Sequence, residues 1–449
     1  MRRTLAALLP LAWPIVVSRA TQTVVGLADA TMVAHLGEGA LAAVSAGATN
    51  AYLVMVLPMG TVSIVQSFAA QFWGAGDAMG ARRAAVYGLL IALGSALLAA
   101  SLWPAVPALL ALLPYEPVVA ATMSDYIQLR LLATGPAVGL EALAAYYGGV
   151  GRTRVPMVAS VVAMTLNVGL NALLIDGRLG LPALGVRGAA VASVLATTVA
   201  FVGLLAYLRR DGALPRPGFA EGVRVLRFGL PAGLNWFGEF AAWVAYLDVV
   251  VASAGTTVLA AMMAVVQLNG VSFMPAFGLA SAGAILVGQA IGAAQRDRVP
   301  ALVRATLGAA AAWQCSVGLA YVLVPDLLFA PFARGAAEQA PLAVLGARML
   351  ALSAAWQAFD AACMTYAESL RAAGDTFWPM VLRFVIGWLF ALPLGWIWVN
   401  RLDGGADAAV LGAVAWTVLL AVALWLRFRS GRWRHIELTG PERLPEASA

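Results

Sequence analysis

About twelve long apolar stretches constrain this chain more than any other feature of its sequence. They occupy approximately residues 8–34, 42–72, 83–105, 119–147, 155–176, 186–208, 227–252, 258–291, 300–325, 341–370, 377–399 and 407–427. A helix needs about 20 mainly apolar residues to cross a bilayer. Only 11% of the residues are charged, against about 25% in soluble proteins. We therefore predict an all-α membrane protein with about 12 transmembrane helices.

The arginines predict how these helices are oriented. With the amino terminus placed in the cytoplasm, twenty arginines fall on the inner side, and four fall outside: Arg178, Arg187, Arg334 and Arg401. This imbalance satisfies the positive-inside rule. It predicts a multi-pass protein of the cytoplasmic (inner) membrane with both termini in the cytoplasm. We expect the basic tail, residues 429–449 with Trp433, to lie on an anionic leaflet, so that lipid and not nucleic acid explains its charge.

The chain also contains an internal repeat. The segment RRDGALPRPGFAEGVR is polar and rich in Pro and Gly, and it predicts a cytoplasmic linker (209–226) between two six-helix bundles, 1–208 and 227–428. Residues recur across it at an offset of 217 or 218: Pro14 with Pro231, Leu41 with Leu259, Gly60 with Gly278, Gln71 with Gln289, and Arg130 with Arg348. Because each half has an even number of spans, we expect pseudo-symmetric bundles of the same orientation, with a cavity between them.

Acidic side chains inside the predicted spans indicate where function lies. Seven acids fall there, Asp29, Asp125, Glu141, Glu239, Asp248, Asp360 and Glu368, with four arginines, Arg19, Arg130, Arg348 and Arg383. An ionised group at mid-bilayer costs from about 3 to more than 10 kcal/mol, so such groups usually have a partner or face a wet cavity. The negative excess favours cations as cargo. A carboxyl group permanently hydrogen-bonded inside a bundle is the alternative, and Glu141 has no assigned role.

Three further patterns suggest sites, each with a structural alternative. Asn167 and Asn171 lie four residues apart and so share a helix face; their amide oxygens can bind Na+ or contact a carboxyl group, or simply join helices. Trp356 shares a face with Asp360 and could hold an organic cation, or only pack. Pro14 and Pro231 each remove a helix hydrogen bond and suggest hinges, or static bends.

Enzymatic chemistry is not indicated. The two cysteines, Cys315 and Cys363, lie in apolar runs, and the two histidines, His35 and His435, lie at opposite ends of the chain. The sequence thus offers neither a metal-binding cluster nor a nucleotide loop of the GxxxxGK[ST] kind. We expect no catalytic residue and no cofactor.

Several ordered motifs resemble the multidrug and toxic compound extrusion (MATE) family, most closely its NorM-like bacterial branch. They are LPLAWP, LADATMVAHLG around Asp29, ALAAV, AQFWGAGD, WFGEF with Glu239, and WQAFDAA with Asp360. The resemblance covers Leu8 to about Leu426. It implies two six-helix bundles around a V-shaped cavity (a MOP-type fold), and efflux of bulky, often cationic compounds in exchange for Na+ or H+.

The resemblance also implies roles for individual residues. Asp29 corresponds to an acid of the family's amino-terminal cation site, with Ser193 as a further candidate. Asn171 stands where some branches have Asp, which places that site in question. Glu239 and Asp360 match the two acids of the NorM-like carboxy-terminal cation site. Na+ would then bind at Glu239 and Asp360, or at Asp29 with the asparagines.

We therefore predict a monomeric antiporter of small organic cations, driven by Na+ or H+ as the coupling ion. The first alternative is a MOP-superfamily flippase or exporter of a lipid-linked or anionic cargo, which would need a basic cavity. A membrane-embedded enzyme and a receptor that transports nothing are the remaining alternatives.

Overall fold

The computed structural model of the chain describes residues 2–112, 116–333 and 340–440. Within these ranges the chain is helical and contains no β-strand. Arg334 and the last part of the predicted tail, 441–449, lie outside the described residues.

Helices follow one another with short connections. The first half contains α1 (Arg2–Val33), α2 (Glu38–Val62), α3 (Ile64–Gly74), α4 (Ala78–Leu102), α5 (Val106–Leu110), α6 (Pro117–Leu131), α7 (Thr134–Gly149), α8 (Arg154–Leu174) and α9 (Val186–Arg210). The second half contains α10 (Phe219–Ala245), α11 (Thr256–Gly292), α12 (Val299–Leu323), α13 (Pro325–Phe329), α14 (Ala340–Ala372), α15 (Phe377–Phe384), α16 (Leu392–Asn400) and α17 (Gly405–Arg429). Two π-helical segments, Tyr246–Val251 and Val385–Ala391, continue α10 and α15.

Eleven of the helical spans in the described residues are long and apolar enough to cross a membrane. The predicted stretch 119–147 is the twelfth, and it is broken into α6 and α7. Pro136 explains the break, because it has no amide hydrogen to donate to the carbonyl of Leu132. Ala133 instead donates to the carbonyl of Arg130 in a tighter turn. The all-helical membrane fold predicted from the sequence is therefore confirmed.

The chain forms two compact units. The N-terminal unit is Val17–Gly233, and the C-terminal unit combines Met1–Val16 with Leu234–Ala449. These limits differ from those of the predicted bundles, 1–208 and 227–428, whose boundaries stay a prediction. The division falls two residues after Pro14 and two residues after Pro231. It therefore falls at equivalent places in the two halves of the repeat.

Each of α1 and α10 begins in the unit that is formed mainly by the other half of the chain. In the C-terminal unit, Leu8 and Ala12 of α1 are buried beside α11, and a Cβ on Gly278 would stand 3.4 Å from the carbonyl oxygen of Ala12. In the N-terminal unit, a Cβ on Gly233 of α10 would stand 2.5 Å from the carbonyl oxygen of Leu57. Glycine at each contact lets two helix backbones approach closely.

The fourth predicted span of each half, α6 with α7 in the first and α14 in the second, lies at the centre of its unit. In the C-terminal unit α14 packs against α11, α12 and α17, and in the N-terminal unit α6 and α7 pack against α2, α3, α4 and α9. Their C-terminal ends, Gly149 and Ala372, align with an offset of 223 (372 less 149). This offset places Arg348 opposite Asp125 and not, as the constant offset predicts, opposite Arg130.

The start of the tail folds back onto the C-terminal unit. Trp433 is only 2% exposed; its ring stacks on Phe428 at 5.4 Å, and its indole nitrogen donates to the carbonyl of Phe428 at 3.0 Å. Leu438 is also buried. The expectation that Trp433 lies on a lipid leaflet is therefore wrong, because the aromatic contacts of this unit bury it. Arg429 and Arg432 of the same segment are exposed.

Candidate cation sites

Asp29 lies in a buried cluster with the three other polar residues assigned to its site. Asn171 of α8 donates to one carboxylate oxygen of Asp29 at 2.5 Å, and the Ser193 hydroxyl of α9 donates to the other at 3.3 Å. Asn171 also donates to the Asn167 amide oxygen at 3.3 Å, and Asn167 donates to Ser193 at 3.0 Å. The structure thus brings together the four residues that the sequence placed on three separate helices.

One oxygen of this cluster has no hydrogen bond. Asn171 is fully buried, and both of its amide hydrogens are directed to acceptors, while its amide oxygen has no donor. A buried acceptor without a partner costs about 1–3 kcal/mol. A cation beside Asp29 would satisfy this oxygen, which suits the cluster to Na+ or to a proton on the carboxyl group.

Most of the other acids in the helices are paired with arginines. Arg19 contacts both carboxylate oxygens of Glu141, at 2.7 and 3.4 Å, which accounts for the acid without an assigned role. Asp125 likewise pairs with Arg187, and Glu368 pairs with Arg371. Asp248 is exposed in the first π-helical segment. Paired carboxylates of this kind are held as structural ion pairs and leave little net charge.

Asp360 is held by a neutral amide. Gln314 of α12 is fully buried and donates to a carboxylate oxygen of Asp360 at 3.0 Å. Its own amide oxygen makes no hydrogen bond. The carboxylate of Asp360, like that of Asp29, therefore accepts its hydrogen bonds from neutral groups.

Glu239 differs from both. It forms an ion pair with Arg383 of α15, and its side chain is 49% exposed while that of Arg383 is 9% exposed. Among the described residues, no hydrogen bond joins Glu239 to Asp360. The two acids assigned to one site thus have separate immediate partners.

Two tryptophans nevertheless relate Glu239 to Asp360. Trp243 and Trp356 touch, with their rings 5.4 Å apart, and each lies four residues from one of the acids on the same helix face. Three crossings separate α10 from α14, so the two helices run in opposite directions. Since Glu239 precedes Trp243 and Asp360 follows Trp356, both acids lie one turn away on the same side of this ring contact.

Comparison with known proteins identifies the family. The MatE family profile matches residues 14–173 and 241–397. The chain belongs to the MatE family. A Thermotoga maritima relative named "Probable multidrug resistance protein NorM" is 27% identical, over 98% of this chain and 95% of its own. A Pseudomonas putida relative of the same name is 30% identical, over 97% and 96% of the two chains.

Solved structures show the same fold. A MATE transporter in a bent conformation matches with a TM-score of 0.86 at 22% identity, over 96% of both chains. A eukaryotic MATE transporter matches with a TM-score of 0.82 at 17% identity, over 96% of this chain and 97% of its own. The predicted family and the MATE-type fold are therefore confirmed, and the MatE protein is a transporter and not an enzyme.

Sequence reasoning missed several partners in the MatE protein. The sequence could have indicated Gln314 as a partner of a buried polar group, since it is the one amide within the apolar run AAAAWQCSVG. It could likewise have indicated Trp243, four residues after Glu239. For the pairing of Arg383 with Glu239 there was no signal, because it depends on how α15 packs against α10.

Proposed function

We propose that this MatE protein is a secondary active multidrug efflux antiporter that exports bulky, mostly cationic compounds in exchange for Na+ or H+. The proposal rests on the carboxylates of Asp29 and Asp360, which accept hydrogen bonds from neutral amide and hydroxyl groups. Each keeps a negative charge available to a mobile cation. The names of the NorM relatives support multidrug resistance as the role.

The Asp29 cluster is suited to the coupling ion. Its carboxylate, the amide oxygens of Asn167 and Asn171, and the Ser193 hydroxyl are all oxygen ligands within one buried group. Hard cations prefer such oxygens, and a proton on Asp29 would meet the same acceptors. The cluster is too small and too buried for a bulky compound.

The aromatic side of the C-terminal unit is suited to cargo. Trp243 and Trp356 present indole rings one turn from Glu239 and Asp360. A cation over an indole ring gains about 0.5–2 kcal/mol, and the carboxylates add attraction for its charge. Each site is built within a single chain, so we propose that a monomer transports.

Exchange follows from conformational coupling between the two sites. Binding of the coupling ion at Asp29 favours the conformation that releases cargo, and by reciprocity cargo then weakens ion binding. Pro14 and Pro231, which lie beside the division between the units, are the proposed hinges. Solved MATE structures described as bent and as straight, both similar in fold to this chain, support such movement.

An anionic or lipid-linked cargo has less support. Three of the four arginines in the spans, Arg19, Arg348 and Arg383, contact carboxylates. An anion would therefore meet no free positive charge at these three side chains.

The test is ethidium efflux in everted membrane vesicles, with a Na+ gradient and a pH gradient imposed separately. The native chain should transport under one gradient, which identifies the coupling ion. Asp29→Asn and Asp360→Asn should each reduce transport at least about tenfold, since removing a charge that directly binds an ion typically costs more than 1.4 kcal/mol.

The matched control is Asp125→Asn, which removes an acid of similar helical setting that is already paired with Arg187. It should transport at the native rate. Native efflux in both site variants, with each gradient tested, would refute the assignment of these carboxylates.

A further inference from the structure

The pairing of Glu239 with Arg383 is unusual among the ion pairs of this chain. Arg383 is the buried member, whereas half of the Glu239 side chain is exposed. Nη1 of Arg383 contacts Glu239, and its Nε is buried and makes no hydrogen bond. By contrast, Arg19 binds both carboxylate oxygens of Glu141, which is the strong two-point geometry. At Glu239, by comparison, Nη1 of Arg383 approaches a single carboxylate oxygen, so this pair is a one-point contact.

Helix packing keeps Arg383 close to Glu239. A Cβ on Gly238 would stand 2.4 Å from the ring of Phe384, so the residue next to Arg383 packs against α10 directly beside Glu239. Further along, a Cβ on Gly387 would stand 3.3 Å from Ala242. The tethered guanidinium group therefore has a high effective concentration at Glu239. A free cation can displace it only if that cation binds the site with additional affinity.

Both helices change geometry just after the pair. The π-helical segment Val385–Ala391 begins two residues after Arg383, and the segment Tyr246–Val251 follows Glu239 by two turns. π-helical turns are rare and occur frequently at functional sites. Here both segments follow a charge pair that lies one turn from the Trp243 and Trp356 rings.

Building on the antiport function proposed above, we infer that Arg383 is a tethered competitor of the cargo: its guanidinium holds the Glu239 carboxylate when the site is free, and a cargo cation must displace it. Arg383 is then a specificity-determining residue, because a compound must interact with Glu239 and the tryptophans more favourably than the tethered guanidinium does. Weakly bound monovalent ions are excluded from Glu239, and cations with aromatic surface are selected.

Removing the two partners should have unequal effects on folding. Arg383→Gln leaves a carboxylate that is half exposed, while Glu239→Gln leaves a buried guanidinium without a counter-charge. The second change is the more damaging, because an uncompensated buried charge is strongly unfavourable. Loss of transport in Glu239→Gln alone would therefore not separate a binding role from a folding role, and Arg383→Gln is the informative variant.

The experiment measures equilibrium binding of tetraphenylphosphonium to the purified full-length chain in lipid nanodiscs, with thermal unfolding as the folding check. If Arg383 occupies Glu239 about nine-tenths of the time, Arg383→Gln should tighten binding about tenfold, because the competent fraction rises to one. Added methylguanidinium should reverse this gain in the variant and leave the native affinity unchanged. Arg383→Lys keeps a tethered cation and should stay within about twofold of native.

Two controls make the result specific. Arg19→Gln removes the arginine partner of another glutamate in the helices and should leave tetraphenylphosphonium binding unchanged. Glu239→Gln/Arg383→Gln, which removes both charges, should bind tetraphenylphosphonium more weakly than the native chain, because the carboxylate that attracts the probe is gone.

An Arg383→Gln protein that folds and binds the probe with native or weaker affinity overturns the inference and makes the pair purely structural. If Arg383→Gln does not fold, a Glu239→Gln/Arg383→Gln protein that binds as tightly as the native chain overturns it equally, because Glu239 would then contribute nothing. These outcomes leave native ion-dependent efflux intact. Absence of both efflux and probe binding in the native chain would instead refute the proposed function, and the inference with it.

Discussion

At the scale of single residues, Ser193 offers a sensitive test of the Asp29 cluster. Its hydroxyl donates to Asp29 at 3.3 Å and accepts from Asn167 at 3.0 Å. Ser193→Ala removes both bonds but keeps the carboxylate. A hydrogen bond contributes about 1 kcal/mol net, so the concentration of coupling ion that gives half-maximal efflux should rise roughly fivefold, with little change in maximal rate.

Ser160→Ala is the matched control, since Ser160 bonds Ser18 at 2.7 Å elsewhere in the same unit. It should leave the dependence on the coupling ion unchanged. A Ser193→Ala protein with native ion dependence would show that the cluster only joins helices.

The sequence predicted part of each site. Helical spacing placed Asn167 and Asn171 on one face, and the family resemblance added Asp29 and Ser193, so that cluster was complete before any contact was known. The partner of Glu239 was not predictable, because Arg383 lies on a helix far along the chain and its position depends on the close approach at Gly238. Charge type alone could not show which of the four arginines neutralises which acid.

At the scale of helices, Pro14 allows a direct test of the proposed hinge. It lies inside α1, where it cannot donate to the carbonyl of Pro10, and the division between the two units falls two residues later. Pro14→Ala restores that hydrogen bond and should stiffen the helix. We expect turnover of ethidium efflux to fall at least about fivefold, while tetraphenylphosphonium binding changes little, because a hinge affects conformational steps more than the site itself.

Pro10→Ala is the control, because it makes the same change one turn earlier in the same helix, at an exposed position. It should keep at least half of the native turnover. Native turnover in Pro14→Ala would mean that the proline causes only a static bend.

Apolar length predicted the helices well, because the bilayer sets a minimum span. It did not predict the break between α6 and α7, since a broken helix is as apolar as a continuous one. Trp433 was misassigned for a related reason: a tryptophan among arginines is typical of a membrane interface, and only the stacking on Phe428 distinguishes a buried ring.

At the scale of the whole molecule, the two halves of the repeat carry matching ion pairs of opposite polarity. Asp125 pairs with Arg187 between α6 and α9, and Arg348 pairs with Asp407 between α14 and α17. With the fourth helices aligned at their C-terminal ends, Arg348 takes the place of Asp125, and Asp407 takes the place of Arg187. The contact between the fourth and last helices is thus preserved while its charges are exchanged, so a search for identical residues in the two halves misses it.

Six crossings in each half, together with the arginine distribution, predict that both halves have the same orientation and that both termini are cytoplasmic. In a cysteine-free background, Arg178→Cys and Leu402→Cys test the loops before α9 and α17, where both side chains are exposed. Phe219→Cys and Asp297→Cys test exposed positions on the opposite side. A membrane-impermeant maleimide should label the first two in intact spheroplasts and the last two only after permeabilisation. Labelling of Arg178→Cys and Leu402→Cys from opposite sides would instead mean that the repeats are inverted, and the equivalence of Pro14 with Pro231 as hinges would then fail.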